Sequence, residues 1–395
     1  MINPVRPAKR RISILGSTGS IGRNTLEVMS HLGGREAFEV PAITGKDNID
    51  LLVRQARQTG AGIAVTADPE RYNDLKSALA GTGIEAGAGP AALIEAGHRD
   101  TDLLLAGIVG IAGLAPTLAA VAGGADIALA NKECLVSAGD LFTSAMAKGG
   151  GKLLPVDSEH NAIFQVLEEN QRQAVERIIL TASGGPFRDH TREQMAAVTP
   201  ELAAAHPNWS MGVKISIDSA SMFNKALEMI EARHLFDVRP DQIEVIIHPQ
   251  SIIHSMVGYC DGSVLAQLGV PDMRHAIGYA ISHPRRRNLP VERLDFAKLA
   301  RLDFTAPDEI RFPSLALART AMQRGGLQGA ILNGAKEAAL EAFIAGQIGF
   351  LDMADIVAAT MDRLDDGRAA HSIEDVYAAD REARAVAVAV MRESA

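Results

Sequence analysis

Two carboxylates one residue apart, Asp157 and Glu159, follow an apolar run that ends at Pro155. If that run finishes as a strand, both side chains project to one face, because strand side chains alternate with a period of two. Neighbouring acids repel, and a shared cation is the usual way to keep both ionised. Hard oxygen ligands at this spacing suit Mg²⁺ or Mn²⁺. The plainer alternative is a polar turn capping a helix that starts near Asn161. A second set of reactive groups lies on a helix expected to run from a cap at Asp218 or Ser219 to about Arg233. Met222, Phe223, Ala226, Leu227 and Ile230 share one of its faces, and Ser221, Asn224, Lys225 and Glu228 share the other. A solvated face with a Lys225–Glu228 pair at i,i+3 would account for that pattern. However, a carboxylate, a lysine, an amide and hydroxyls are also what a metal and a phosphate require. Glu228 would complete a three-carboxylate site with Asp157 and Glu159.

The elements that must position these groups begin with a glycine turn. Residues 11–15 form a short apolar run, followed by Gly16, Ser17, Thr18, Gly19, Ser20, Ile21 and Gly22, and residues 24–31 read as a helix. Strand, glycine turn and helix bring backbone N–H groups to a pyrophosphate. The spacing is G-x-x-G-x-x-G rather than G-x-G-x-x-G, so the context carries the argument. A second strand is expected over 38–43. After it come Thr44, Gly45, Lys46, Asp47 and Asn48. Lys46 is a cation where the 2′-phosphate of NADP would sit, whereas Asp47 is a carboxylate that could hold the ribose of NAD instead. Further strands at 62–65, 103–106 and 127–129 alternate with helical stretches at 49–59, 91–96 and 114–122. This alternation means a doubly wound parallel sheet. Asn131, Lys132 and Glu133 follow the last of these strands. The carboxyl ends of such strands face the ligand crevice, so these three point toward the cofactor and its reaction partner.

In the middle of the chain, a strand over 177–182 runs into Ser183, Gly184, Gly185, Pro186 and Phe187. That turn suits an oxyanion or phosphate, and equally a plain turn. Thr191 and Thr199 read as helix N-caps, with Pro200 at a first helical position. Residues 206–212 are irregular and hold the single tryptophan, Trp209. We expect a lid over 183–213, with Trp209 landing on the substrate. Residues 214–217 read as a strand. So do 243–247, 252–256 and 264–268, with Asp261 and Gly262 forming the last hairpin. This sheet offers an edge for dimerisation. Residues 283–290 form a polar linker, and 314–324, 329–344, 353–364 and 372–392 are helical with no evident chemistry. The expected fold class is α/β in three parts. A Rossmann-like NADPH-binding domain spans 1–150, and a central α+β catalytic, metal-binding and dimerisation domain spans 151–282. A linker over 283–308 leads to a small helical domain at 309–395.

A chain of 395 residues is long enough for two or three domains. A net charge of −9 argues against a general nucleic-acid surface. Cys134 and Cys260 form no zinc or CxxC pattern, which fits a reducing, cytoplasmic setting. The basic residues 1–11 have no apolar stretch behind them, so they do not read as a secretory signal. No apolar run is long enough to span a bilayer.

Taken in order, GSTGSIG at 16–22, Asn131-Lys132-Glu133, LPVDSEHNAIFQ at 154–165, SGGPF at 183–187, HPNWSMG at 206–212 and KISIDSASMFNKALE at 214–228 form a highly specific set. With HPQSIIHS at 248–255 and Pro271-Asp272-Met273-Arg274, they resemble the 1-deoxy-D-xylulose 5-phosphate reductoisomerase family over most of the first 280 residues. The resemblance implies rearrangement of a sugar phosphate to an aldehyde, then its reduction by NADPH to 2-C-methyl-D-erythritol 4-phosphate, with Mg²⁺ or Mn²⁺ as Lewis acid. It implies Asp157, Glu159 and Glu228 as metal ligands. It places Ser183, His206, Ser219, Asn224 and Lys225 on the phosphate, and Lys132, Ser158 and Glu159 near the reacting carbons. Thr18, Gly19, Ser20, Ile21, Gly45, Lys46, Asn131, Glu133 and Gly212 fall on NADPH contacts. It also implies a homodimer. The chain departs from the family at Asp47, where Asn48 is the substitute contact, and at Val213, where a basic residue is common. The rival readings are another NADP-dependent dehydrogenase of the semialdehyde or homoserine type, and a non-catalytic dinucleotide sensor.

Overall fold

The computed structural model describes residues 9–205 and 212–394. By internal contacts the chain divides into two compact units. The first holds the described residues up to Asn131, with Ser144–Asp157 and Asp272–Val291; the second holds Lys132–Thr143, Ser158–Pro271 and the residues from Glu292 onward. No helix among the described residues is long and apolar enough to cross a membrane.

The first unit is a parallel sheet. Its strands lie in the order Glu85–Ala88, Ile63–Thr66, Ala42–Gly45, Arg10–Leu15, Leu103–Ala106, Asp126–Leu129, Leu153–Pro155. The inner strands Ala42–Gly45, Ile63–Thr66 and Leu103–Ala106 are buried along their whole length, which is why they read as largely apolar runs. The chain builds outward on one side of Arg10–Leu15, then returns to build on the other. The order therefore reverses between Arg10–Leu15 and Leu103–Ala106, the place where such sheets bind ligands. The single strand expected over 38–43 is two, Phe38–Glu39 and Ala42–Gly45, on either side of Pro41, which has no N–H to give a ladder. The helix expected to begin at Asn24 begins at Ser20, with Gly22 inside its first turn. The strand Glu85–Ala88 went unforeseen; at the sheet edge, made of Glu, Ala and Gly, it carries no β-forming residue.

The second unit holds a four-stranded sheet in the order Ile243–Ile247, Val175–Ala182, Ile253–Tyr259, Val264–Leu268. The first pair is parallel and the others antiparallel, with Gly262 at φ 86° in the expected hairpin turn. The helices Ser314–Arg324, Gln328–Ile344, Asp352–Arg363 and Ile373–Ser394 lie close to the expected spans. Two expectations fail. Residues 214–217 belong to a helix, Val213–Ala220, not a strand. Alternation would have buried Ile215 beside Ile217, but Ile215 is exposed, and Ser216, Ile217 and Ala220 form the buried face. The next helix starts only at Phe223 and runs to Phe236, after Met222 in the left-handed region at φ 63°.

Candidate active site

The chain passes from the strand Leu153–Pro155 into the helix Ser158–Val166, with Glu159 in the first helical turn. Asp157 and Glu159 are therefore not on one strand face, and the alternation argument does not apply. A strand-to-helix turn brings them together. Each of Asp157, Glu159 and Glu228 offers a carboxylate oxygen, and these atoms lie within 4.8 Å of one another. Asp157 is the last residue of the first-unit segment Ser144–Asp157 and is bonded directly to Ser158, the first of the second-unit segment.

Glu228 is fully buried and Lys225 nearly so, so the alternative of a solvated face does not hold. Helical spacing puts Asn224 and Lys225 beside Glu228. Lys225 Nζ donates to Glu159 Oε1 at 2.9 Å and to Glu228 Oε2. Lys132 Nζ donates to Asn224 Oδ1 at 2.9 Å and to Glu228 Oε1 at 3.2 Å. Asn224 Nδ2 donates to Glu228 Oε1 at 2.5 Å, and Ser158 Oγ donates to Glu159 Oε2 at 2.6 Å. Two ammonium groups against three carboxylates leave one negative charge (2 − 3 = −1) on an all-oxygen donor set. That is the chemistry of a Mg²⁺ or Mn²⁺ site, so these residues fit such an ion.

Behind the cluster stand two residues that sequence reasoning missed. His160 Nε2 lies 2.9 Å from the Glu228 carbonyl oxygen, and His160 Nδ1 lies 3.2 Å from Glu231 Oε2. Asp157, His160 and Glu231 also bring ligand atoms within 4.8 Å of one another, sharing Asp157 with the first triad. The available signal was the sequence neighbourhood: His160 follows Glu159, and Glu231 is one helical turn beyond Glu228.

Ser183 directly follows the long strand Val175–Ala182. Gly184 and Gly185 follow at φ 80° and 67°, and the Gly185 N–H donates to Ser183 Oγ at 3.2 Å. A Cβ on Gly185 would sit 3.0 Å from the Ser219 carbonyl oxygen and from Ala220 Cα, so this turn packs on the end of the Val213–Ala220 helix. Ser183, Ser219, Asn224 and Lys225 thus come from segments packed in sequence on one another. Thr191 and Thr199 cap their helices as expected, accepting N–H bonds from Gln194 and Leu202, with Pro200 at N1. His206 and Trp209, with the rest of 206–211, lie outside the described residues.

The glycine turn is built from backbone. Gly16 has φ 85°, and a Cβ there would lie 2.5 Å from the Gly107 carbonyl oxygen. A Cβ on Gly22 would lie 2.4 Å from the Gly16 oxygen and from Ser17 Cα. Gly19 is the N-cap of Ser20–His31, a helix with no acidic residue in its first turn and no side-chain cap, which is how an anion-binding terminus is arranged. Thr18 packs on Gly45, where a Cβ would be 3.0 Å from Thr18 Cγ2. Sequence reasoning also overlooked the braces of this turn. Ser17 N–H donates to Thr44 O at 2.7 Å, Gly16 N–H to Thr44 Oγ1 at 2.9 Å, and Ser17 Oγ to Gln55 Oε1 at 2.8 Å. Lys46, Asp47 and Asn48 are exposed after the strand Ala42–Gly45. Asn48 Oδ1 accepts the Leu51 N–H at 3.0 Å and so caps the helix Ile49–Thr59. Asn131 Nδ2 donates to the carbonyl oxygens of Ile108 and Gly110, tying down the loop after Leu103–Ala106. Glu133 opens the helix Glu133–Gly149, and Gly212 is the exposed N-cap of Val213–Ala220.

Comparison with known proteins gives a consistent picture. Family models described as 1-deoxy-D-xylulose 5-phosphate reductoisomerase, its C-terminal domain, and DXP reductoisomerase C-terminal domain match residues 12–139, 153–236 and 268–386. A 1-deoxy-D-xylulose 5-phosphate reductoisomerase of Sinorhizobium fredii is 71% identical over 385 residues, covering 98% of each chain. One from Rhizobium johnstonii is 70% identical over 386 residues, with the same coverage. The structure of the Zymomonas mobilis enzyme in complex with NADPH has a TM-score of 0.92 at 50% identity, over 97% of this chain and 99% of that one. A DOX-P reductoisomerase in complex with NADPH, fosmidomycin and magnesium has a TM-score of 0.91 at 41% identity, over 97% and 98%. Neither a semialdehyde nor a homoserine dehydrogenase is needed to account for any part of the chain, and it belongs to the 1-deoxy-D-xylulose 5-phosphate reductoisomerase family.

Proposed function

We propose that the chain converts 1-deoxy-D-xylulose 5-phosphate to 2-C-methyl-D-erythritol 4-phosphate with NADPH and Mg²⁺ or Mn²⁺, an early step of non-mevalonate isoprenoid precursor synthesis. The observation that carries this reading is the gathering of Asp157, Glu159 and Glu228 with Lys132 and Lys225. Lewis-acid polarisation of the substrate ketone and its neighbouring hydroxyl, with hydride from NADPH, is the chemistry that side chains cannot supply. Asp157, Glu159 and Glu228 hold the ion. Lys132 stabilises negative charge developing on the substrate oxygens, and Glu159, oriented by Ser158, takes up the hydroxyl proton. Ser183, His206, Ser219, Asn224 and Lys225 bind the phosphate. Residues 183–213, with Trp209 as the part that lands on the substrate, cover it and exclude water.

On the dinucleotide side, Thr18, Gly19, Ser20 and Ile21 present backbone to the pyrophosphate, and Lys46 pairs with the 2′-phosphate. Gly45, Asn131, Glu133 and Gly212 complete the contacts. Of the two residues after Lys46, Asp47 is the one without a capping task in the helix that follows; Asn48 serves as that cap. Domain roles follow: 1–150 binds NADPH, 151–282 carries the reaction and the dimer contact, 283–308 links, and 309–395 supports. The protein is cytoplasmic. The homodimer reading rests on the edge strand Val264–Leu268, whose Val264 and Leu265 are exposed.

The test is spectrophotometric. Oxidation of NADPH on addition of 1-deoxy-D-xylulose 5-phosphate should require Mg²⁺ or Mn²⁺ and stop with a chelator. Tight NADPH binding with no metal-dependent turnover would leave only a dinucleotide sensor. Light scattering on the eluting protein tests the dimer.

A further inference from the structure

The helix Val213–Ala220 is too short to hold itself in place: eight residues form no stable helix alone. Its apolar anchorage is small. Only Ile217 and Ala220 are buried apolar residues, while Val213 and Ile215 are exposed. What holds it is a chain of alternating charges reaching to Gln328–Ile344, in the helical part where the sequence showed no chemistry. Lys336 Nζ donates to Asp218 Oδ2 at 2.9 Å and to Glu337 Oε1 at 2.5 Å. Lys214 Nζ donates to Glu337 Oε2 at 3.1 Å and to Glu341 Oε1 at 2.8 Å. Lys336 and Asp218 are 2% and 7% exposed, so this is no surface pair.

Such a chain is not there for stability alone, because buried ion pairs seldom outdo apolar packing of the same volume. Its distinctive property is direction. One ammonium must reach Asp218 and Glu337 at once, which sets both the rotation of the short helix and its register on its neighbour. Burial pulls the Lys336 ammonium down, but the carboxylates of Asp218, Glu337 and Glu133 outweigh that and keep it charged. Burial likewise pushes Glu337 up, and Lys336 and Lys214 bring it down to about 2. Asp218 is followed directly by Ser219, on whose carbonyl the Ser183–Gly185 turn rests.

We propose that the Lys336–Asp218 contact, braced by Glu337 and Lys214, is a positioning device for the phosphate subsite. It sets Ser219 and the Ser183–Gly185 turn without touching substrate. This rests on the reading that Ser183 and Ser219 bind the phosphate.

The experiment uses the full-length enzyme and three variants: Lys336→Met, Ser219→Ala and the two combined. Lys336→Met should raise KM for the sugar phosphate about tenfold while changing kcat and NADPH affinity far less. In the Ser219→Ala background it should add little, because residues acting through one another are not additive. An unchanged KM in Ser219→Ala would sink the phosphate reading itself. A raised KM there, with folded Lys336→Met either unaffected or multiplying with Ser219→Ala, would overturn the positioning role alone. If Lys336→Met does not fold, Glu337→Gln takes its place in the same cycle: a raised KM that adds little to Ser219→Ala supports the positioning role, and an unaffected or multiplying KM overturns it.

Discussion

The glycine turn around Gly16 and the carboxylate–lysine cluster around Glu228 are held in shape in opposite ways. In the turn, the geometry is held by backbone: Gly16 and Gly22 leave no room for a Cβ, and the first helical turn carries no acidic residue. In the cluster, it is held by side chains from three distant segments, with lysines, an amide and a hydroxyl bonded to the carboxylates. A backbone site tolerates change in charge and fails on added bulk. A side-chain site tolerates small changes in bulk and fails on lost charge. Substitutions that change charge without bulk, or bulk without charge, separate the two.

The largest effect is expected for Glu228→Gln, which keeps the volume and removes one buried charge from two lysines. Breaking such a network costs about 3–5 kcal/mol of stability; a loss of that size in transition-state binding, through metal affinity and turnover, would lower kcat/KM by roughly 10²–10⁴-fold. NADPH affinity, measured by fluorescence titration, should stay nearly constant. Full activity at low Mg²⁺ would move the third carboxylate elsewhere.

Acid should weaken the charge-built region. Glu337 titrates near 2 in the folded protein against 4.5 for an ordinary glutamate, so its contribution is complete above about pH 4.5 and is lost as pH falls toward 2. The loss amounts to about 3 kcal/mol. Thermal melts over that window should fall steeply for the native chain and less steeply for Glu337→Gln. Parallel curves would mean that Glu337 is not linked to folding.

Lys46→Ala probes the charged contact proposed for the dinucleotide site. It should weaken NADPH by about ten- to a hundredfold, from roughly 1.5–3 kcal/mol, and NADH hardly at all. Equal losses for both cofactors would make Lys46 a solvated lysine.

The two smallest effects form a pair. Gly22→Ala puts a Cβ 2.4 Å from Gly16 O, and the overpacking should cost about 1–3 kcal/mol in a denaturant melt. Gly19→Ala meets only Gly16 O at 3.4 Å with φ already negative, so its cost to stability should be below about 0.5 kcal/mol. Similar losses for both would mean that steric closure is not what the glycines provide.

What the sequence alone determined about this protein is local. The glycine turn, the buried parallel strands, the caps at Thr191 and Thr199 and the Asp261–Gly262 hairpin each depend on a few consecutive residues. Their physics, steric room, missing N–H groups and short-range hydrogen bonds, acts within those residues. The carboxylates at Asp157, Glu159 and Glu228 were legible as chemistry, but strand alternation is not what makes them meet, since a strand end and a helix start take its place. Only the tertiary structure decided the rest. It put Lys225 and Glu228 inside rather than on a solvated face, because Glu159 and Lys132 from other segments supply their partners. It placed His160 and Glu231 behind the Glu228 peptide. It turned the alternating residues 214–217 into helix, since Lys214 and Asp218, four residues apart, both find countercharges on Gln328–Ile344. Burial and ion pairing depend on which distant segments arrive, and periodicity within one segment carries no record of that.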